Sequence, residues 1–175
     1  MIGKAFIAGG VLGSWIAGTY IVDVIVRPYV LAGYARDLAR QLGKPLLNVG
    51  AGTRTSSLRC ALLGPTTWGD VNLDIAAVGS RPGPGSVSAG DIMAIPYPDR
   101  HFGVAIASHV IEHLERPDLA LEELHRVADY VLVIVPRWWA FHTWAHPGHR
   151  WYIDQSGRGY KLWGWGNAHK RIRSS

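Results

Sequence analysis

The stretch LLNVGAGT, residues 46–53, runs an apolar, strand-like segment into two glycines, Gly50 and Gly52. Lacking a Cβ, these residues let the backbone bend sharply and let a ligand approach the amides that open the following helix. About 20 residues further on, Asp74 closes NLDI, where a carboxylate can accept hydrogen bonds from both hydroxyls of a ribose. Asp91, in AGDIMAIPYPD, is a second carboxylate at a strand end, placed to accept from an adenine amino group while Ile92 packs on the ring. The four residues describe a crevice for a nucleotide-like molecule that carries a carboxylate or phosphate.

Histidines form the other group. His109 and His113, in SHVIEHL, follow an apolar run and stand at the lip of that crevice. An imidazole there could take a proton from an acceptor at neutral pH; alternatively His113 and Glu112 cap the entry of the next helix. No catalytic base is assigned. The segment RWWAFHTWAHPGHRWYID concentrates Trp138, Trp139, Trp144, Trp151 and Tyr152 with His142, His146 and His149. Its H-x3-H-x2-H spacing suggests zinc. Pro147 and Gly148 break any helix that would align the three, no cysteine joins them and Asp154 is the only nearby carboxylate, so no metal is expected. Aromatics among basic residues suit a lipid interface or an apolar acceptor pocket. The lone Cys60, in CALL, reads as a small hydrophobe on the buried face of a helix.

These residues need a scaffold, and the apolar periodicity supplies one. VLAGYARDLARQLG puts Leu31, Tyr34, Ala35, Leu38 and Leu42 at helical spacing, with Gly43 and Pro45 as the stop. LLNV is a short buried strand, SSLRCALLG a helix ended by Gly64 and Pro65, and TTWGDVNLDI a second strand. RPGPGS is a loop, SVSAGD a third strand edge and VAIASHV a fourth strand. Pro117 and Asp118 open the helix PDLALEELHRVA, and YVLVIVP is an all-apolar fifth strand. The alternation predicts an α/β fold, a doubly wound, mostly parallel, Rossmann-like sheet with helices on both faces.

In this order the motifs resemble those of class I S-adenosylmethionine-dependent methyltransferases, from about Leu46 to Pro136. LLNVGAGT is similar to the family's strand entering D-x-G-x-G-T. GDIMAIPYPDRHFGVAIASHVIEHLERPDLALEELHRV resembles its G-D-x-x-x-L-P-F-x-D-x-S-F-D stretch, followed by E-H-L-x-x-P and E-x-x-R-V. The resemblance implies S-adenosylmethionine as cofactor, held by Gly50, Ala51, Gly52, Thr53, Asp74, Ile75, Asp91 and Ile92, with Ser108 and His109 near the methyl group. Three positions depart from the pattern: Asn48 replaces the usual acid, Arg54 a common glycine and Gly103 an aspartate. Each weakens a cofactor contact or a packing bond without abolishing the pocket, so a non-enzymatic, membrane-tethered binding or structural subunit of the same fold is the alternative. The 39 residues after Pro136 are short for the helix and antiparallel strands that usually follow, so the sheet is expected to stop after strand five apart from one hairpin from WYID and GYKLWGW.

The ends carry a different message. Residues 1–50 have five basic and two acidic side chains, residues 51–136 six and ten, and residues 137–175 seven and one. Basic ends on an acidic middle suit an anionic surface. AFIAGGVLGSWIAGTYIVDVIV, residues 5–26, contains one ionisable residue, Asp23, and is about long enough to cross a hydrocarbon layer of roughly 30 Å. Small residues recur on one face (Gly10, Ser14, Gly18), suiting helix pairing and a homo-oligomer. The expected organisation is a hydrophobic anchor over 1–30, a methyltransferase-like core over 31–136 in the cytoplasm, and an aromatic, basic segment over 137–175. A buried N-terminal helix is the other reading. AHKRIRSS matches no nucleic-acid reader, so the expected partners are a membrane and a small or lipid-like substrate.

Overall fold

The computed structural model describes residues 12–53, 58–77, 86–154, 158–161 and 169–171. Arg54, the glycine pair Gly9 and Gly10, most of the RPGPGS loop and most of the basic tail lie outside them. Five strands, β1 (Leu46–Val49), β2 (Val71–Asp74), β3 (Ser88–Ala89), β4 (Phe102–Ser108) and β5 (Ala128–Ile134), form one sheet in the order β3-β2-β1-β4-β5. Every pairing in it is parallel, with Asn48 opposite Asn72 on one side and Ile106 on the other. The strand order reverses between β1 and β4, which puts the ligand crevice of an open parallel sheet beyond Val49 and Ser108. β1 and β4 are central and covered on both faces, hence their continuous apolar runs.

The helices are α1 (Leu12–Gln41), α2 (Leu58–Leu63), α3 (Pro117–Val127) and α4 (Phe141–Ala145). α3 covers one face, where Leu124 and Val127 pack with Leu47, Phe102 and Ala105. α1 covers the other through Ala32, Ala35 and Ala39, against Leu46, Val104, Ile106 and Ile134. The expected stripe holds at Ala35, which is buried, and at Leu31 and Leu38, which pack against the same core, whereas Tyr34 is 62% exposed, Leu42 is also exposed, and Ala32 and Ala39 complete the buried line. Small side chains let α1 lie close to the sheet. That closeness explains one departure from the family pattern, because a Cβ on Gly103 would already lie 3.1 Å from Lys44 Cβ and 3.4 Å from Ala39 Cα. An aspartate has no room there.

α1 runs unbroken through the boundary expected at residue 30, with a π-helical segment at Ile21–Val26. By length and composition it is the one helix among the described residues able to cross a membrane. The chain ends in a separate antiparallel sheet of β6 (Trp151–Ile153), β7 (Arg158–Lys161) and β8 (His169–Arg171). The expected hairpin is present as β6 and β7, and β8 is an additional strand that sequence reading did not find. Among the described residues β5 is the edge of the parallel sheet.

The E-x-x-R-V helix motif has a clear physical task. Arg126 donates to both Glu123 oxygens, to Asp99 and to the carbonyls of Ile95 and Tyr97, while Glu123 accepts from the Ile95 amide. These bonds clamp the segment 91–99 that follows β3, and the Arg126 guanidinium holds the Glu123 carboxyl below its ordinary pKa. Arg126→Met is expected to speed amide exchange over residues 95–100 at least about tenfold, with little change elsewhere, in a hydrogen-exchange comparison with the parent chain.

Candidate active site

A cavity of about 550 Å³ opens at the carboxyl ends of β1, β2 and β4. Gly50, Ala51 and Gly52 form one wall. Gly50 and Gly52 have φ of +72° and +75°, which only glycine adopts readily, and a Cβ on Gly50 would collide with Val110. The turn is pinned by Gly50 N–H and Ala51 N–H, both donating to Leu73 O. Asp74 accepts from Gly52 N–H at 2.8 Å and from Ala76 N–H at 2.8 Å, one bond to each oxygen, so each oxygen keeps an acceptor site. Asp91 accepts from Met93 N–H at 2.9 Å. Both carboxylates line the cavity, as do Ile75, Ile92, Ser108 and His109.

Of the ten residues expected to hold a cofactor, the structure brings nine to this one wall system. Thr53 is the exception: it is not among the described residues that line the cavity. Asn48 also stays away. Its Nδ2 donates to Thr66 O and to Asn72 Oδ1, inside the sheet, and the residue does not line the cavity. Cys60 is buried as expected and contributes to the wall.

His109 has φ of +54°, a left-handed conformation that costs a side chain of this kind roughly 1–2 kcal/mol. It is held by three contacts. Its N–H donates to Ile134 O at 2.8 Å, its Nε2 lies 3.1 Å from Asp23 O and its Nδ1 lies 3.3 Å from Glu112 Oε1. Burial pulls the His109 pKa down, but the Glu112 carboxylate and Asp23 outweigh it and the net shift is upward. Glu112 is the counterpart. Burial pushes its carboxyl up, and the His109 and His113 rings outweigh that and hold it below its ordinary value. Glu112 is 1% exposed, and neither of its oxygens makes a hydrogen bond among the described residues. The helix-cap reading of Glu112 and His113 is therefore corrected: both lie in the 3-10 turn Ile111–His113, and α3 starts four residues later without a side-chain cap.

α1 closes the cavity, a role the sequence did not announce. Tyr20 and Val24 line it. Between them Asp23 is fully buried, accepting from Arg27 Nη1 at 2.9 Å and from Arg137 N–H at 2.9 Å, with His142 Nε2 3.4 Å away. Arg27 Nη1 also donates to Val135 O. The last turn of the stretch expected to span a membrane, residues 5–26, is thus tied into the folded domain beyond β4 and β5.

The remaining wall is histidine. His113, His146 and His149 each offer one ring nitrogen, and the three nitrogens lie within 4.8 Å of one another. His113 Nδ1 donates to Gly148 O at 2.8 Å and His149 Nδ1 to Thr143 O at 3.0 Å. Burial lowers the pKa of His146 and of His149. The bend at Pro147 and Gly148, expected to scatter the histidines, instead stacks the rings of His146 and His149 with centroids 4.6 Å apart. The third member comes from the 3-10 turn, which Arg150 N–H to Glu112 O and Trp151 Nε1 to Leu114 O hold against the C-terminal segment.

Residues 47–129 match the family model described as a methyltransferase domain. Among solved structures, the [4+2]-cyclase SpnF is similar over 56% of this chain and 40% of its own, at 24% identity and a TM-score of 0.36. The chain thus spans less than half the length of that protein. No curated protein matches the sequence.

Proposed function

We propose, for a chain whose residues 47–129 carry a class I, S-adenosylmethionine-dependent methyltransferase domain, that the cavity binds S-adenosylmethionine and passes its methyl group to a small or lipid-like acceptor at a membrane surface. The observation that carries this reading is the meeting of a side-chain-free turn, Gly50 to Gly52, with two carboxylates, Asp74 and Asp91, around one space of about 550 Å³, a size typical of small-molecule sites. The residues fit the cofactor. Asp74, oriented by its two amide donors, can accept from ribose hydroxyls. Ile75 is an apolar side chain 72% exposed beside the cavity, suited to packing on a flat ring. When bound, the cofactor supplies an already activated methyl group, so the protein's work is to align the acceptor and exclude water. Tyr20 and Val24 of α1 would do the second. Ser108 and His109 stand at the end of β4, where an acceptor would enter.

The membrane part of the reading rests on exposed apolar residues. Leu12, Trp15, Ile21 and Val22 of α1 are exposed, as are Trp138, Phe141 and Trp144 on the segment that His142 ties to the same helix. Aromatic side chains of this kind suit the headgroup layer, and the basic ends suit anionic lipid, with the catalytic domain on the cytoplasmic side.

Titration calorimetry with S-adenosylmethionine tests the reading. The parent chain should bind one cofactor, and Asp74→Ala and Asp91→Ala should each weaken binding at least tenfold, as expected for losing a hydrogen bond to a charged group. A folded chain that fails to bind at millimolar cofactor would favour the non-enzymatic subunit, for which the interior use of Asn48 is the supporting observation.

A further inference from the structure

We propose that His113, His146 and His149 form a zinc site whose open coordination position faces the cavity. Three neutral imidazoles with one position left for a small ligand is the donor set of a catalytic, rather than a structural, zinc centre. Their ligand nitrogens already lie within 4.8 Å of one another. Zinc-to-nitrogen bonds of about 2.0–2.1 Å bring such atoms to roughly 3.4 Å apart, a closure that rotation of side chains can provide. Two of the rings are oriented for it. His113 and His149 each donate from Nδ1 to a backbone carbonyl, Gly148 O and Thr143 O, which leaves Nε2 with its lone pair, as in metal-bound histidines whose other ring nitrogen is held by a carbonyl or carboxylate. His146 is exposed and takes only a 3.1 Å bond at Nδ1 from Gly148 N–H.

Two further observations point to a cation. Gly148 leaves the rings room to approach: a Cβ there would lie 3.1 Å from His146 Cε1 and 3.2 Å from His113 Nδ1, and the rings would have to give by a few tenths of an ångström. Close to the trio stands the Glu112 carboxylate, buried, preceding His113 in the chain and with His109 Nδ1 3.3 Å away as its one ion-pair contact among the described residues. A buried anion facing several imidazoles stabilises a divalent ion between them. All three histidines line the cavity, so the fourth position is open to water or to an oxygen or thiol of the acceptor. The site stands on its own geometry and does not require that S-adenosylmethionine bind.

Cobalt(II), whose visible d–d bands report tetrahedral nitrogen ligation, is the probe, with zinc competition and metal counting on the dialysed full chain. One cobalt per chain, displaced by zinc, with affinity reduced at least tenfold in His146→Ala and in His113→Gln, is the expected result. His146 is exposed, so its alanine variant retains the fold, which circular dichroism verifies in the same samples. A featureless cobalt spectrum, or binding that both variants retain at full strength, overturns the site. Calorimetry with S-adenosylmethionine on the metal-free chain reads the cofactor separately, so failure of one does not mimic failure of the other.

Discussion

Replacing Asp23 with alanine is expected to lower the unfolding free energy by about 3 kcal/mol and to open the cavity wall made by Tyr20 and Val24. Removing one partner of a buried ion pair costs about 3–5 kcal/mol when the other charge is stranded, and Arg27 keeps some solvent, which sets the lower end. Burial alone would raise the Asp23 carboxyl. His142, the Arg137 amide and Arg27 reverse that and bring it from 3.8 down to about 2, a displacement worth about 2 kcal/mol. A carboxyl whose pKa falls on folding contributes stability above its unfolded value and loses it as pH drops through the folded one. The gap between parent and variant should therefore be full at pH 7 and shrink from pH 3.8 down to about 2. Urea midpoints at a series of pH values measure it. Equal midpoints at pH 7, or a gap undiminished at the acid end, would show that Asp23 does not hold α1 on the sheet.

Gly69→Ala is expected to be still more damaging, with a loss of at least about 3 kcal/mol or no folded chain at all. A Cβ on Gly69 would lie 2.5 Å from Val71 O, 2.8 Å from Leu46 O and 2.9 Å from Asn48 N. All three are backbone atoms of β1 and β2, so nothing can yield without parting the central strands. The same residue exchanges two hydrogen bonds with the Asn72 side chain, at 2.9 Å and 3.0 Å, which fixes the entry to β2 and with it Asp74. Gly33 provides the contrast. It sits in α1 with nothing within 4 Å of a Cβ, and Gly33→Ala should stabilise the chain by about 1 kcal/mol through helix propensity. Parallel thermal melts of the two variants decide the matter, and similar melting temperatures would refute the packing argument.

The Asp23 and Gly69 variants probe different distances in the chain, and the difference bears on how the candidate site could be recognised. Strands β1 and β4 were legible because a parallel strand buried on both faces leaves few choices of side chain at any position, and β5 because its run YVLVIV is apolar although it lies at the sheet edge. The glycine turn and the carboxylates Asp74 and Asp91 were legible for a related reason: backbone conformation and strand-end placement are imposed within a few residues. The E-x-x-R-V segment could be recognised as a motif, although its clamp on Ile95 and Tyr97 became evident only in the fold.

Asp23 could not be understood locally. In the sequence it is a lone charge in an apolar run, with Arg27 one turn on as its local partner; what buries it comes from far away, the Arg137 amide 114 positions on and His109, 86 positions on, at its carbonyl. Likewise His142, His146 and His149 looked like a spaced trio, whereas the ring that completes the cluster is His113, contributed by the turn after β4. Asn48 turned inward and Gly103 lost its carboxylate because α1 and β2 occupy the space around them. The sequence by itself determined the layered α/β sheet and the crevice at its switch point, since these follow from short-range periodicity and from glycine's freedom at positive φ. Which end of α1 belongs to the domain, and which histidines share a wall, was decided by tertiary packing alone, because burial gives a polar group only the partners that distant segments bring within reach.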